Sequence, residues 1–311
     1  MKTVIVTTGD IDGIGFEVFS KALLSTQAHH KCPIVFYVTS SQLASGYFNS
    51  LKPLAIKINQ LQLMPNQGLY FIESSSNPVS WVYEAAEFCT HFNEQCILVT
   101  GPLDKNTIAN HSPGVLGHTE ILAQVTKIPK SDLLMFFMGK YFNILCLTGH
   151  IPVSEIHKNL TSEALQRKFL VFDRWLEKFE FKNDVNPIAC LGLNPHSSDK
   201  GLIGQFEETI LLPLILKHDF ISLKTALVPD SAFVNFQDGL KFRTALAMYH
   251  DQGLIPFKIA HGFSGVHLTV GLPFLRISVD HGTAKNLFGQ NSAHYESMND
   301  CLELASKQSI K

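Results

Sequence analysis

The sequence has no C-x-x-C pair, no repeated cysteine spacing and no apolar run near the roughly 18 residues of a membrane span. Its six cysteines stand at positions 32, 89, 96, 146, 190 and 301. Several lie inside apolar runs, as in Ile144-Leu145-Cys146-Leu147 and Ile188-Ala189-Cys190-Leu191, where a thiol serves as a small hydrophobe. Buried reduced thiols are therefore expected, and neither a disulfide framework nor a cysteine metal site is. Charge is also scarce, at 17% of residues, and nearly balanced: 25 Lys+Arg against 27 Asp+Glu give a net −2. No global basic field exists to hold nucleic acid or an anionic membrane. The opening Met1-Lys2-Thr3-Val4-Ile5-Val6 reaches Gly9-Asp10 too quickly for a secretory signal, so it reads as a first strand and a cytoplasmic location is expected. Internal repeats, low-complexity tracts and Pro/Gly/Ser linkers are missing as well.

What is present is apolar substance. With 45% hydrophobic residues over 311 positions, the chain can fill about two domain cores. Short β-branched or apolar runs alternate with segments of helical period, the pattern of α/β layers around a largely parallel sheet. Strands are expected over residues 4–8, 33–38, 97–100, 143–148, 188–193, 245–249 and 275–279, with a buried strand also compatible with 133–138. Helices are expected over 16–24, 79–92, 162–179, 207–217 and 284–288. Nearly every strand runs into a small polar loop: Gly9-Asp10, Gly101-Pro102, Gly149-His150, Asn194-Pro195-His196, His250-Asp251-Gln252-Gly253 and Asp280-His281-Gly282-Thr283. Ligands of open α/β sheets bind beyond the carboxyl ends of strands, so these loops predict one composite site.

Of the 14 histidines, His29, His30, His91, His111, His157, His218 and His294 lie in polar or helical surroundings and read as surface or capping groups. His150, His196 and His250 differ, because each follows a strand-like run. They are too far apart for any single-helix motif. If the fold converges them, three neutral imidazoles with open positions suit Zn²⁺ or another borderline divalent cation; satisfied core groups are the alternative. The loop Gly9-Asp10-Ile11-Asp12-Gly13-Ile14-Gly15 has two readings, a phosphate-approaching turn or a tight turn whose glycines supply positive φ, and its two acids oppose the first. Arg276 and Lys258 stand in apolar stretches; if buried, each needs a partner, either a bound carboxylate or phosphate or an internal ion pair.

Six blocks occur in order: Gly101-Pro102-Leu103-Asp104-Lys105, Gly117-His118-Thr119-Glu120, Gly192-Leu193-Asn194-Pro195-His196, Ala247-Met248-Tyr249-His250-Asp251-Gln252-Gly253, Gly271-Leu272-Pro273-Phe274-Leu275-Arg276 and Ser278-Val279-Asp280-His281-Gly282-Thr283-Ala284. Together they resemble the signature blocks of the 4-hydroxythreonine-4-phosphate dehydrogenase family of pyridoxal phosphate biosynthesis. The resemblance implies a two-domain α/β/α fold of the isocitrate/isopropylmalate dehydrogenase type. Residues 1–125 with 275–311 would form one domain and 126–274 the other, with the active site in the cleft between them. It implies a homodimer whose metal site draws on both subunits. His150, His196 and His250 become the ligands of a divalent metal (Zn, Mg or Co), His250 reaching toward the partner. His118, Thr119, Lys258, His267 and Arg276 become substrate contacts, and Asp230 and Asp251 orienters or proton acceptors. The implied reaction oxidises the C3 hydroxyl of 4-phosphooxy-L-threonine with NAD or NADP, and the β-keto acid then loses CO₂ to give 3-amino-2-oxopropyl phosphate. No motif assigns a cofactor-binding residue or distinguishes NAD from NADP.

Three departures from the family pattern bear on substrate and cofactor. His267 occupies a position usually held by Asn, and an imidazole is bulkier and titratable. The usual basic loop after Ala284 is replaced by Leu287-Phe288-Gly289-Gln290-Asn291-Ser292, and Asp12 replaces a small residue. Oxidative decarboxylation of a phosphorylated sugar acid, D-threonate or D-erythronate 4-phosphate, is the alternative within the same chemistry. A zinc hydrolase and a metal-pocket protein without turnover are the alternatives outside it.

Overall fold

A computed structural model describes residues 1–310. Its strands are β1 (Thr3–Thr7), β2 (Pro33–Val38), β3 (Ala55–Ile58), β4 (Gly68–Glu73), β5 (Cys96–Thr100), β6 (Leu134–Met138), β7 (Asn143–Cys146), β8 (Ile188–Leu191), β9 (Ala226–Leu227), β10 (Thr244–Ala247), β11 (Val266–Val270) and β12 (Leu275–Val279). The chain divides into two compact units. The first holds Met1–Lys130, Phe263–Leu268 and the residues from Leu272 on; the second holds Ser131–Gly262 and Thr269–Gly271.

In the first unit the strand order is β3-β4-β2-β1-β5-β12-β11. All pairings are parallel except β11 with β12. β1, β2 and β5 are buried along their whole length, which is why they read as unbroken apolar runs in the sequence. The helix Pro78–His91 packs on β1 and β5. It starts where Asn77 accepts a 2.8 Å bond from the Val79 amide, with Pro at the first position, where its missing N–H costs nothing. The closing helix Glu296–Ile310 packs on β12, β5 and β1.

The second unit has the order β6-β7-β10-β8-β9, parallel throughout except for β6 with β7. Its core gathers Phe137, Phe142, Ile144, Ala189, Leu191, Ala245, Leu254 and Phe257. The helix Ser162–Lys178 buries an apolar stripe, Leu165, Phe169, Phe172 and Leu176, behind a Thr161 cap that accepts from the Ala164 amide at 3.2 Å.

Some expectations fail. Residues 284–288 form no α-helix: Ala284 is left-handed at φ 41° and only one 3₁₀ turn, Lys285–Leu287, follows. Residues 207–217 are helical but begin with a π turn, Glu207–Leu211, before the α-helix Leu212–Lys217. All six cysteines are buried, and none is disulfide-bonded. His29, read as a surface group, is buried against His30 with ring centroids 4.1 Å apart. Among the described residues no helix is long and apolar enough to cross a membrane.

Candidate functional site

The glycine-rich loop after β1 resolves in favour of packing. Gly9 is left-handed at φ 86°, and a Cβ there would lie 2.2 Å from the Pro102 carbonyl oxygen. A Cβ on Gly15 would meet the Thr8 carbonyl oxygen at 1.8 Å, and one on Gly101 would meet it at 2.4 Å. These glycines let the β1 and β5 loops touch backbone to backbone, and the Asp10 amide donates to the Pro102 carbonyl at 3.0 Å. Asp10 is buried and accepts from the Asp104 amide at 2.8 Å. Burial raises its pKa, opposed by that amide and by Lys285, which lies 3.7 Å from Asp10 and 3.0 Å from Asp12. Lys285, two residues before the Leu287–Ser292 segment that departs from the family pattern, is thus paired with Asp12, which also departs from it.

Arg276 lies on β12 with only 2% of its surface exposed. Its side chain lies over the end of β5, where Nε and Nη2 donate to the Thr100 hydroxyl at 3.1 and 2.6 Å. Nη1 donates to His267 Nδ1 at 3.4 Å, and Thr100 donates onward to Ser278 Oγ at 3.2 Å. Burial lowers the guanidinium pKa to about 10, so it stays charged at neutral pH. His118 opens the helix His118–Thr126, with half-buried Thr119 beside it in the first turn. His118 Nε2 is buried without a hydrogen-bond partner. Desolvation, reinforced by the Arg276 charge, pushes its pKa down to about 3, so the ring is neutral at any ordinary pH. A buried guanidinium, a neutral imidazole and a helix N-terminus suit an anionic ligand.

In the second unit β10 lies between β7 and β8 and parallel to both, so their carboxyl ends share one edge. His150 follows β7, His250 follows β10 and His196 follows β8. The His150 and His250 ring centroids are 5.0 Å apart. His250 Nδ1 donates to Asp251 Oδ1 at 2.6 Å, which fixes the ring's orientation and turns Nε2 away from that bond. His196 is exposed, in a stretch from His196 to Lys200 whose five residues all have positive φ. Among the described residues no group of three or more His, Cys, Asp or Glu side chains is arranged to hold an ion. Of the three candidate ligands, His150 and His250 stand side by side, while His196 follows the neighbouring strand and joins no such group. Lys258 is exposed on the helix His250–His261, so its apolar sequence neighbours do not imply a buried charge. Asp251 is exposed beside His250, and Asp230 is exposed in the turns after β9.

Several polar side chains that the sequence reading gave no role brace these strand ends. Thr148 Oγ1 donates to the Met248 carbonyl at 2.7 Å, and the Met248 amide donates to Gln252 Oε1 at 2.7 Å. Gln252 Nε2 donates to the Gly192 carbonyl at 2.6 Å. Glu207, wholly buried, accepts from the Leu193 and Asn194 amides at 2.7 Å each and from Asn194 Nδ2 at 2.8 Å. Their nearness in sequence to strand-end histidines, Gln252 two positions after His250 and Glu207 eleven after His196, was the only available signal.

Residues 18–305 match the family described as pyridoxal phosphate biosynthetic protein PdxA. A 4-hydroxythreonine-4-phosphate dehydrogenase of Sulfurihydrogenibium sp. (strain YO3AOP1) is 32% identical over 324 residues, covering 98% of each chain. A provisionally named D-threonate 4-phosphate dehydrogenase of Halalkalibacterium halodurans is 36% identical over 212 residues, 68% of this chain and 62% of that one. Among solved structures, the 4-hydroxythreonine-4-phosphate dehydrogenase of Klebsiella pneumoniae aligns with TM-score 0.77 at 26% identity, over 99% of this chain and all of the other. An isocitrate dehydrogenase of Methylococcus capsulatus aligns with TM-score 0.51 at 11% identity, over 100% of this chain and 85% of the other, a likeness of fold alone. With its α/β fold and a match spanning nearly all its length, the chain belongs to the PdxA family of pyridoxal phosphate biosynthesis.

Proposed function

We propose that this chain is a 4-hydroxythreonine-4-phosphate dehydrogenase that oxidises 4-phosphooxy-L-threonine at C3 with NAD or NADP. A hydride leaves C3 for the nicotinamide and the hydroxyl proton is lost; the β-keto acid then releases CO₂ to give 3-amino-2-oxopropyl phosphate. The observation that carries the reading is the pair of imidazoles at neighbouring strand ends, 5.0 Å apart, one of them oriented by a carboxylate. His150, His196 and His250 would hold a divalent cation, Zn²⁺, Mg²⁺ or Co²⁺, whose Lewis acidity lowers the pKa of an alcohol and stabilises enolate charge. Arg276, already desolvated and held by Thr100, binds an anionic oxygen without first giving up hydration. Neutral His118 and Thr119 add polar contacts beside it without adding charge, His267 shares the guanidinium's hydrogen bonding, and Lys258 supplies a second cation. Asp251 orients His250, and Asp230 is assigned to proton acceptance.

The working unit in this reading is a cytoplasmic homodimer. The helix that carries His250 and Lys258 exposes Ile255 by 60% and Ile259 by 75%, an apolar i, i+4 pair that a second copy of the chain would cover while His250 serves the shared metal site. A second substrate, D-threonate or D-erythronate 4-phosphate, is favoured by His267, whose ring beside Arg276 stands where the family usually has an amide. The test is purified protein with each phosphate ester, NAD or NADP and each metal, followed by nicotinamide absorbance and CO₂ release. Turnover of 4-phosphooxy-L-threonine is expected. Turnover of the sugar-acid phosphates alone would overturn the substrate assignment, and hydrolysis with no nicotinamide reduction would overturn the reaction.

A further inference from the structure

The three strand ends that carry His150, His196 and His250 are joined by side chains as well as by the sheet. Beyond the last ladder bonds, Thr148 ties the β7 end to the Met248 carbonyl at 2.7 Å. The amide of the same Met248 donates to Gln252 Oε1 at 2.7 Å, and Gln252 Nε2 donates to the Gly192 carbonyl at the β8 end at 2.6 Å. The next two amides after Gly192 are taken by the wholly buried Glu207 carboxylate. A Cβ on Gly192 would lie 2.9 Å from Ser197 Oγ and 3.0 Å from Ser197 Cα, so a larger residue there would make the turn shift. The turn that leads to His196 is therefore gripped by Gln252 on one side and Glu207 on the other.

Chemistry dictates the residue type at 252. One partner is a backbone donor and the other a backbone acceptor, so the bridging group must present one acceptor and one donor at fixed places. A carboxamide does this. A carboxylate would set two acceptors against each other at Gly192, and Asn is one methylene shorter.

We propose that Gln252 is a positioning residue: its carboxamide fixes the turn that leads to His196 against the neighbouring strand end, and so sets where His196 is held. The inference rests on the proposed assignment of the three histidines as metal ligands. It adds that the placement of His196 depends on an amide that touches neither metal nor substrate. Partners that orient metal ligands commonly change affinity by about 10–100-fold when removed.

The test uses the full chain stripped of metal and titrated with Co²⁺, followed by the visible absorption of the bound ion and by calorimetry. Melting of the metal-free protein is measured in parallel. Gln252→Glu keeps the bond from Met248 and loses the one to Gly192. Gln252→Met keeps the length and loses both, and His196→Ala is the control for the ligand assignment. The expected result is a 10–100-fold weaker Co²⁺ affinity and shifted absorption bands in both Gln252 variants, with metal-free melting close to wild type. If His196→Ala weakens Co²⁺ binding while both Gln252 variants bind with wild-type affinity and spectrum, the positioning role is wrong and the ligand assignment stands. If His196→Ala binds Co²⁺ as wild type does, the ligand assignment itself fails. Failure of both Gln252 variants to fold would overturn the inference in favour of a purely architectural role.

Discussion

Replacing His118 by Gln should remove a pH dependence of stability that the wild-type chain carries. The His118 pKa is pushed down to about 3 by desolvation and then by the Arg276 charge, whereas an unfolded histidine titrates near 6.5. The folded state therefore binds fewer protons than the unfolded state between these values. Stability is complete above pH 6.5 and falls as pH falls from there toward 3, with a limiting slope of about 1.4 kcal/mol per pH unit. Between pH 7 and pH 5 the loss is about 2 kcal/mol, because the first half-unit lies above the unfolded pKa. His29, whose pKa is lowered by burial and by His30, acts in the same direction in both proteins and cancels in the comparison. Urea unfolding of wild type and His118→Gln at pH 7, 6 and 5 measures the difference directly. The gap between the two proteins should shift by about 2 kcal/mol in favour of the variant as pH drops from 7 to 5. Parallel pH profiles would refute the account, since they would mean that His118 charges in the folded protein as it does in the unfolded chain.

Arg276→Lys should raise the substrate KM about tenfold or more, near the value of one charged hydrogen bond, because an ammonium cannot reproduce the fork now shared between Thr100 and His267; steady-state kinetics with an unchanged KM would reduce Arg276 to an architectural role. Gly15→Ala should destabilise by about 1–3 kcal/mol through overpacking against the Thr8 carbonyl oxygen, although helix propensity alone predicts a gain of up to about 1 kcal/mol. Thermal melting decides the sign.

The strands that flank the candidate histidines were legible because parallel strands buried on both faces leave continuous apolar runs, as β7, β8 and β10 do. β3 escaped because Ala-Ile-Lys-Ile is a half-exposed edge strand, and β9 because two residues carry no period. The closing helix Glu296–Ile310 is mostly polar in sequence, and the helix expected at 284–288 is stopped by left-handed Ala284. Lys258 misled for a geometric reason. On a helix its sequence neighbour Phe257 points inward while Lys258 points out, so apolar flanks say little about burial. The histidines after β7, β8 and β10 could be picked out because each follows a strand. Gln252 and Glu207 could not, since their bonds run to neighbouring strand ends and turns that only the folded sheet brings near.

The covered cysteines give the protein a built-in reporter of breathing. Cys32, Cys89, Cys96 and Cys301 belong to the first unit and Cys146 and Cys190 to the second. Burial raises Cys32 to about 11 and Cys190 further still, so neither offers a thiolate to a reagent in the closed fold. Alkylation of a given sulfur then timestamps the opening of its own unit, and peptide mapping of the labelled positions can separate loosening of the histidine-bearing half from loosening of the arginine-bearing half without any engineered probe.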